Sequence, residues 1–337
     1  MAPFSCSRKG LWLAIVLAVL TLCWFWIQER RVDSSRRKSF VLMSKIISLL
    51  QLQPQWRRNV TNSEALRRNL KECCDAERLF AVTQHNAPLG SVLQFDLDSS
   101  TSHTVDAHTY SLFVKEPPLP RRLSSCAVVG NGGILKNSGC GQEIDRAQFI
   151  IRCNLPPLTT DSGKRTHIVT ANPSIIDKRF KDLKGSKLLE CLSVYDRSFI
   201  YMPAFSSSIG IKPSFWAAQT VADASANQTV LFAHPEFLRR VSAFWAARDV
   251  SAQRLSTGLF MVTLALSLCD QVDVYGFWPF SHGPDNKTLS HHYYDNEPPN
   301  SYHAMPQEFK QLTQLHDSGV IRLQLGNCGG VEHELSH

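Results

Sequence analysis

From Cys126 onward, short apolar runs rich in β-branched residues alternate with longer segments whose apolar positions recur at helical spacing. The runs are CAVV (from Cys126), FIIR (Phe149), HIVT (His167), FIYM (Phe199), TVLFA (Thr229) and QVDVY (Gln271). Between them ILKNSGCGQEID (from Ile134), PSIIDKRFKDL (Pro173), PEFLRRVSAFWAARD (Pro235) and TGLFMVTLALSLCD (Thr257) each carry an apolar face. Continuous apolar strands interleaved with helices predict an α/β fold built on a Rossmann-like, mostly parallel sheet with helices on both faces. Ligands of such sheets bind at the carboxyl ends of the strands. With no internal repeat and no low-complexity segment, residues 123–330 read as one folded domain.

Upstream the pattern changes. Leu11 to Ile27 is continuously apolar and ends in Trp24, Phe25 and Trp26, where a signal peptide would place small residues for cleavage. Its 17 residues would span roughly 25 Å as a helix, which predicts an uncleaved N-terminal transmembrane anchor for a thin bilayer. Residues 1–10 then form a cytosolic tail, and residues 28–122 a stem and pre-domain region ending in the loop signal KEPPLPRR from Lys115. Within that region, Leu66, Leu70, Leu79 and Val82 predict an ordered helix over Ala65 to Val82. The adjacent Cys73 and Cys74 are expected to bond elsewhere rather than to each other.

Charge and composition sharpen this outline. The chain of 337 residues has a formal net charge of +7, which suits anionic ligands or acidic membrane surfaces. No basic run is dense enough to predict nucleic-acid binding, and RRVDSSRRK from Arg30 reads as a membrane flank. That flank outweighs Arg8 and Lys9, so charge alone would turn the C-terminal side to the cytosol. Three glycosylation sequons, at Asn59, Asn227 and Asn286, and eight cysteines beyond the anchor favour an oxidising lumen instead.

Three stretches carry candidate chemistry. The strand from Cys126 runs into Gly130-Asn131-Gly132-Gly133 and a helical pattern, an arrangement that offers backbone amides to phosphate or simply makes a turn. Asn131 and Asn154 each follow a strand, where an amide can bond a base, a ribose or a carboxylate. Ser256-Thr257-Gly258 opens the second apolar helix, suited to an anion or to ordinary capping. His291, His292 and His303 lie in one loop region, as a general base and a phosphate-stabilising acid, as metal ligands with Asp295, or as solvated side chains; the lack of cysteine among them disfavours a metal. Asp96-Leu97-Asp98 lies in the pre-domain region and is set aside. No G-x-S-x-G, P-loop or H-E-x-x-H occurs, which disfavours the hydrolase, kinase and zinc-protease mechanisms.

Taken in order, CAVVGNGGILKNSGCGQEIDRAQFIIRCN from Cys126, RLSTGLFMVTLALSLCDQVDVYG from Arg254, HYYD from His292 and HAMPQE from His303 resemble the large, small, third and very small motifs of the animal sialyltransferase family. NGGIL, RCNLPP, GFWPFS and HHYYDN are similar to its α-2,8 group, which adds sialic acid to sialic acid, and from Trp56 to Cys328 the chain is most similar to members acting on a sialylated glycolipid. The resemblance implies the sialyltransferase variant of the GT-A type and inverting transfer from CMP-sialic acid, with no metal and no cofactor. It makes His303 the general base on the acceptor 8-hydroxyl and His292 the group that stabilises the departing CMP phosphate. Asn131, Gly132, Asn154, Ser256, Thr257, Gly258, Gly276 and Trp278 would line the nucleotide site. Disulfides Cys126 to Cys269 and Cys140 to Cys328 are implied, as is a Golgi type II membrane protein with its catalytic domain in the lumen. Cys73, Cys74, Cys153 and Cys191 are left for a further bridge or a covalent homodimer.

The acceptor expected is a sialylated glycolipid, the alternatives being sialylated glycoprotein glycans or an inactive sialoglycan-binding homologue. Arg239, Arg240, Arg248 and Arg254 are too sparse for the dense basic tract of polymerising relatives, which predicts one or a few additions. One departure from the family is the short segment LTTDSGKRT after Pro157, where relatives carry several more residues.

Overall fold

Seven strands, parallel throughout, form the central sheet of this computed structural model, which describes residues 17, 19–21, 23, 24, 26, 30, 56–120, 122–180, 185–297 and 302–328. In chain order the elements from Trp56 onward are helices α1 (Val60–Cys74) and α2 (Ala76–Leu79), the small antiparallel pair β1 (Val92–Gln94) and β2 (Ser102–Thr104), and α3 (Ala107–Ser111). Then come β3 (Leu123–Val129), α4 (Gly141–Arg146), β4 (Phe149–Arg152), β5 (Ile168–Thr170), α5 (Pro173–Arg179) and α6 (Ser186–Leu192). The chain continues through β6 (Phe199–Met202), α7 (Ser208–Asp223), β7 (Thr229–Phe232), α8 (Pro235–Ala246), α9 (Thr257–Leu268), β8 (Cys269–Tyr275), α10 (Met305–Asp317) and β9 (Arg322–Gln324).

Strand order is β7-β6-β5-β4-β3-β8-β9. The chain therefore steps outward from β3 to β7, then returns to lay β8 and β9 on the other side of β3. The gap between β3 and β8 is the topological switch point, where open parallel sheets take their ligands.

Burial explains why the strand runs are apolar throughout. Cys126 to Val129 are all buried, since one face of β3 looks toward Ile144 of α4 and the other toward α9. Ile200 and Met202 of β6 share a second cluster with Ile176, Leu188, Leu192, Ala217 and Val221 from α5, α6 and α7, while the alternate Tyr201 ring stacks on Phe80 at 4.1 Å. Helix α9 is buried from Leu259 to Ala265 without a polar face, Thr263 bonding back to the Leu259 carbonyl and receiving the Trp245 indole N–H.

The N-terminal helix starts and stops for identifiable reasons. Asn59 caps α1, its Oδ1 accepting from the Asn62 N–H at 3.0 Å. Asp75, in the left-handed region at φ 43°, ends it. The expected helix to Val82 is thus cut short at Cys74 and α2, and Val82 instead donates its N–H to the Phe232 carbonyl beside β7. Cys73 and Cys74 are bonded to each other, contrary to expectation. They sit in the last helical positions before the Asp75 turn, where the backbone leaves helical geometry, and Cys153 and Cys191, the other two left open, are unbonded.

ILKNSGCGQEID is likewise not one helix: a 3-10 turn at Gly133–Leu135 is separated from α4 by left-handed Asn137 and Gly139. Helices α6 and α7 and strand β9 lie where no element was expected. Two disulfides cross the fold, Cys126 to Cys269 between neighbouring β3 and β8, and Cys140 to Cys328 between the start of α4 and the residues after β9. The expected anchor (residues 11–27) and tail fall largely outside the described residues, among which no helix is long and apolar enough to cross a membrane.

Candidate active site

The carboxyl ends of the strands gather the candidate residues. After β3, Gly130 and Gly132 donate their N–H groups to the Tyr275 and Gly276 carbonyls at 2.8 and 2.7 Å, locking this turn to the one after β8. A Cβ on Gly132 would stand 2.7 Å from the Gly276 oxygen, and Gly276 itself is at φ +70°, so the glycines first serve the close approach of the two turns. Only the 3-10 turn Gly133–Leu135 follows, the next α-helix beginning at Gly141, so of the two readings of this stretch the structure shows the turn.

Asn131 is held by Nδ2, which donates to the Cys153 carbonyl at 2.9 Å and to the Tyr294 hydroxyl at 3.3 Å. Its Oδ1 is buried and has no partner among the described residues, the acceptor that a ligand amino or hydroxyl group would satisfy. Asn154 sits left-handed at φ 62°, its Oδ1 accepting from the Asn172 N–H at 3.3 Å. Asn172 in turn accepts from the Thr257 hydroxyl at 3.3 Å, so one polar chain joins the ends of β4 and β5 to the start of α9.

Ser256 behaves as the cap that a Ser-Thr pair normally supplies. Its Oγ accepts from the Leu259 N–H at 3.1 Å and donates to Oε2 of Glu308, whose Oε1 accepts from the Ser256 N–H at 2.9 Å. Glu308 is buried, and that burial raises its carboxyl above the usual range against the hydrogen bonds from Ser256. Glu308 had no part in the expected site, although HAMPQE places it in the first turn of α10. Because it ties α10 to α9, Glu308→Ala would leave the Ser256 N–H unsatisfied. We expect a stability loss of about 2–3 kcal/mol by urea unfolding, most of it recovered by Glu308→Gln.

Trp278 is also placed differently from expectation: its ring is buried edge-on between Phe280 and Phe309, its Nε1 donating to the His282 carbonyl at 2.8 Å. Gly258 lies under the Phe277 ring, its virtual Cβ 2.6 Å from it. Both support the two turns from behind.

The two histidines are oriented by different partners. His292 pairs through a bridge with Gly132, and its Nδ1 bonds the Asp295 carboxylate at 2.8 Å while the ring stacks on Tyr294. Burial raises the Asp295 carboxyl, but hydrogen bonds from His292 and the Glu297 N–H outweigh it and hold it below its usual range. Nε2 is then the nitrogen left for a ligand. His303 bonds the Arg254 carbonyl at 3.0 Å through Nδ1, which must donate there. The lone pair of the neutral ring is thereby fixed on Nε2, the state a general base requires. Among the described residues no group of three or more His, Cys, Asp and Glu is disposed to hold a metal ion.

Beside the Arg254–Thr257 segment lies a small cleft lined by Asp96, Asn172, Ser206, Arg254 and Thr257 over an apolar floor that includes Phe260 and Met261. Asp96 was set aside in the sequence with Asp98. The structure separates them: Asp98 is exposed and tied to Ser100 and Thr101, whereas Asp96 enters the cleft. Burial raises the Asp96 carboxyl to about 6, against the attraction of Arg254 and Arg239. The three sequon asparagines, Asn59, Asn227 and Asn286, are all exposed.

Residues 77–320 match the family model for glycosyltransferase family 29 (sialyltransferase). The bovine (Bos taurus) α-N-acetylneuraminide α-2,8-sialyltransferase is 48% identical over 94% of this chain and 89% of its own. The mouse (Mus musculus) α-2,8-sialyltransferase 8F is 42% identical over 88% and 76%. The crystal structure of a mammalian sialyltransferase is 21% identical, with 84% of this chain and 85% of that one covered at a TM-score of 0.46.

Proposed function

The chain belongs to glycosyltransferase family 29, the sialyltransferases, and we propose that within it the protein is a disialoganglioside synthase, adding sialic acid in α-2,8 linkage to the terminal sialic acid of sialyl-lactosylceramide. The linkage is supported by the α-2,8-sialyltransferases it is similar to, and the glycolipid acceptor by the resemblance of its sequence from Trp56 to Cys328 to members acting on a sialylated glycolipid. The observation that carries the mechanism is the bond from His303 Nδ1 to the Arg254 carbonyl, because it places the lone pair of the neutral ring on Nε2.

In this reading His303 Nε2 takes the proton of the acceptor 8-hydroxyl as its oxygen attacks the anomeric carbon of the donor sugar. The attack comes opposite the leaving CMP, which departs with the electron pair of the broken C–O bond, so the configuration inverts. His292, anchored by Asp295, donates from Nε2 as an imidazolium to the phosphate oxygens as charge develops there. The Asn131 oxygen accepts from the nucleotide, and the Asn154-Asn172-Thr257 chain fixes the floor beside it. No metal is needed where an imidazolium neutralises the leaving group. The disulfides and sequons suit a Golgi lumen, with the anchor holding the protein as a type II membrane enzyme near its lipid acceptor.

Mass spectrometry of products from the full-length chain in detergent tests this. Given CMP-sialic acid and chelator, sialyl-lactosylceramide should gain a single sialic acid, while the asialo glycolipid gains none. Transfer only to a sialylated glycoprotein would replace the glycolipid acceptor. Failure to transfer to any acceptor, with CMP still bound, would make the chain an inactive sialoglycan-binding homologue.

A further inference from the structure

The cleft beside α9 holds polar groups that the fold leaves unsatisfied. Among the described residues, the Arg254 guanidinium makes no ion pair or hydrogen bond, nor does the Asp96 carboxylate, although both line the same cavity. The Ser206 side chain, 4% exposed, also lines it, and its Oγ is buried without a partner. The neighbouring cation Arg239 is already committed, to the Glu236 carboxylate at 2.6 Å and the Gln94 carbonyl at 3.1 Å. A cation and a carboxylate that face one cavity without pairing, beside an orphaned hydroxyl, form a set that a ligand with both a carboxylate and hydroxyls would complete.

We propose that this cleft is the acceptor subsite, in which Arg254 takes the carboxylate of the acceptor's terminal acidic sugar while Asp96 and Ser206 hold hydroxyls of its polyol chain. The proposal rests on the reading above that the acceptor ends in sialic acid. One residue couples recognition to chemistry: the Arg254 side chain faces the cleft, and its backbone carbonyl orients His303. The sugar carboxylate and the general base are thus registered to the same point of the chain, and the hydroxyl to be deprotonated belongs to the sugar so held. Asn131, Gly132 and Trp278 do not line the cleft, whereas Thr257 and Asn172 do, so the cleft adjoins the nucleotide side of the site at the start of α9.

Kinetics of the full-length chain in detergent, with donor and acceptor varied separately, tests this with sialyl-lactosylceramide and its carboxyl methyl ester. The unaltered protein should prefer the free acid by about tenfold or more. Arg254→Gln should raise the acceptor KM by about tenfold or more, leave the donor KM unchanged and abolish the preference for acid over ester. Asp96→Asn should raise the acceptor KM while keeping that preference, and its unfolding midpoint at pH 7 should not fall, because the buried carboxylate it replaces is costly to ionise there. Retention of the full acid preference by Arg254→Gln, or a rise confined to the donor KM, would overturn the assignment. Should the unaltered protein use no sialylated acceptor at all, the functional reading itself fails, and that is visible before any variant is made.

Discussion

Replacing His303 by alanine should lower kcat by about 10²–10⁴-fold while CMP binding is retained, the range that loss of a positioned general base costs. The expectation is specific because the structure gives His303 a defined tautomer. Its Nδ1 is spent on the Arg254 carbonyl, and that bond belongs to the backbone, so substitutions of the Arg254 side chain leave it in place. His303→Ala should therefore act on kcat with little change in the KM for either substrate, whereas Arg254→Gln acts on the acceptor KM. Steady-state kinetics together with calorimetric titration of CMP separates the two. Undiminished turnover by His303→Ala would remove the base from this position.

The second large effect concerns the Cys126–Cys269 bridge. It joins residues 143 apart in sequence, and closing a loop of that length restricts the unfolded chain by about 5 kcal/mol in the chain-entropy account. Measured losses for native disulfides run from about 2 to 5 kcal/mol. Cys126→Ala combined with Cys269→Ala should fall in that range, a large share of the roughly 5–15 kcal/mol that holds a domain together. The Cys73–Cys74 bridge is the internal control. Adjacent residues enclose almost no loop, so its removal should cost less than about 1 kcal/mol. Non-reducing urea denaturation of both double variants measures the contrast, and equal losses would contradict the loop-length explanation.

The strands of the sheet were legible because their signal is local. FIIR and FIYM are dominated by β-branched and aromatic residues and are buried except at Phe199, and they became β4 and β6 with the expected limits. Helix α7 had no clear signal, since Gly210 and Pro213 are both poor helix formers, yet the helix passes through Pro213 and runs on to Asp223. Three-residue β9 is too short to show a period, and it is held as a strand by its pairing with β8. In the opposite direction, ILKNSGCGQEID read as a helix from its apolar face, but Asn137 and Gly139 at φ 61° and 64° break it.

The site was legible as a set of motifs and not as a set of contacts. Periodicity placed Asn131, Asn154 and Thr257 at strand and helix ends, but which atoms they commit depends on partners far away in sequence. Ser256 faces Glu308 across 52 positions, and Asn131 meets Tyr294 across 163. Asp96 could not be read at all: two aspartates at that spacing are commonplace, and only the fold shows that one lines a cleft while the other is tied to neighbouring hydroxyls.

Asn59 shows how a single amide divides its labour. Its oxygen starts α1, while its nitrogen makes no hydrogen bond among the described residues and is the atom to which an oligosaccharide would be joined in the Asn59-Val-Thr61 sequon. A sugar there would therefore extend from the helix entrance into solvent without drawing on the oxygen that holds the first turn. Any glycan at this position would then be free to differ from molecule to molecule while every molecule keeps the same folded start.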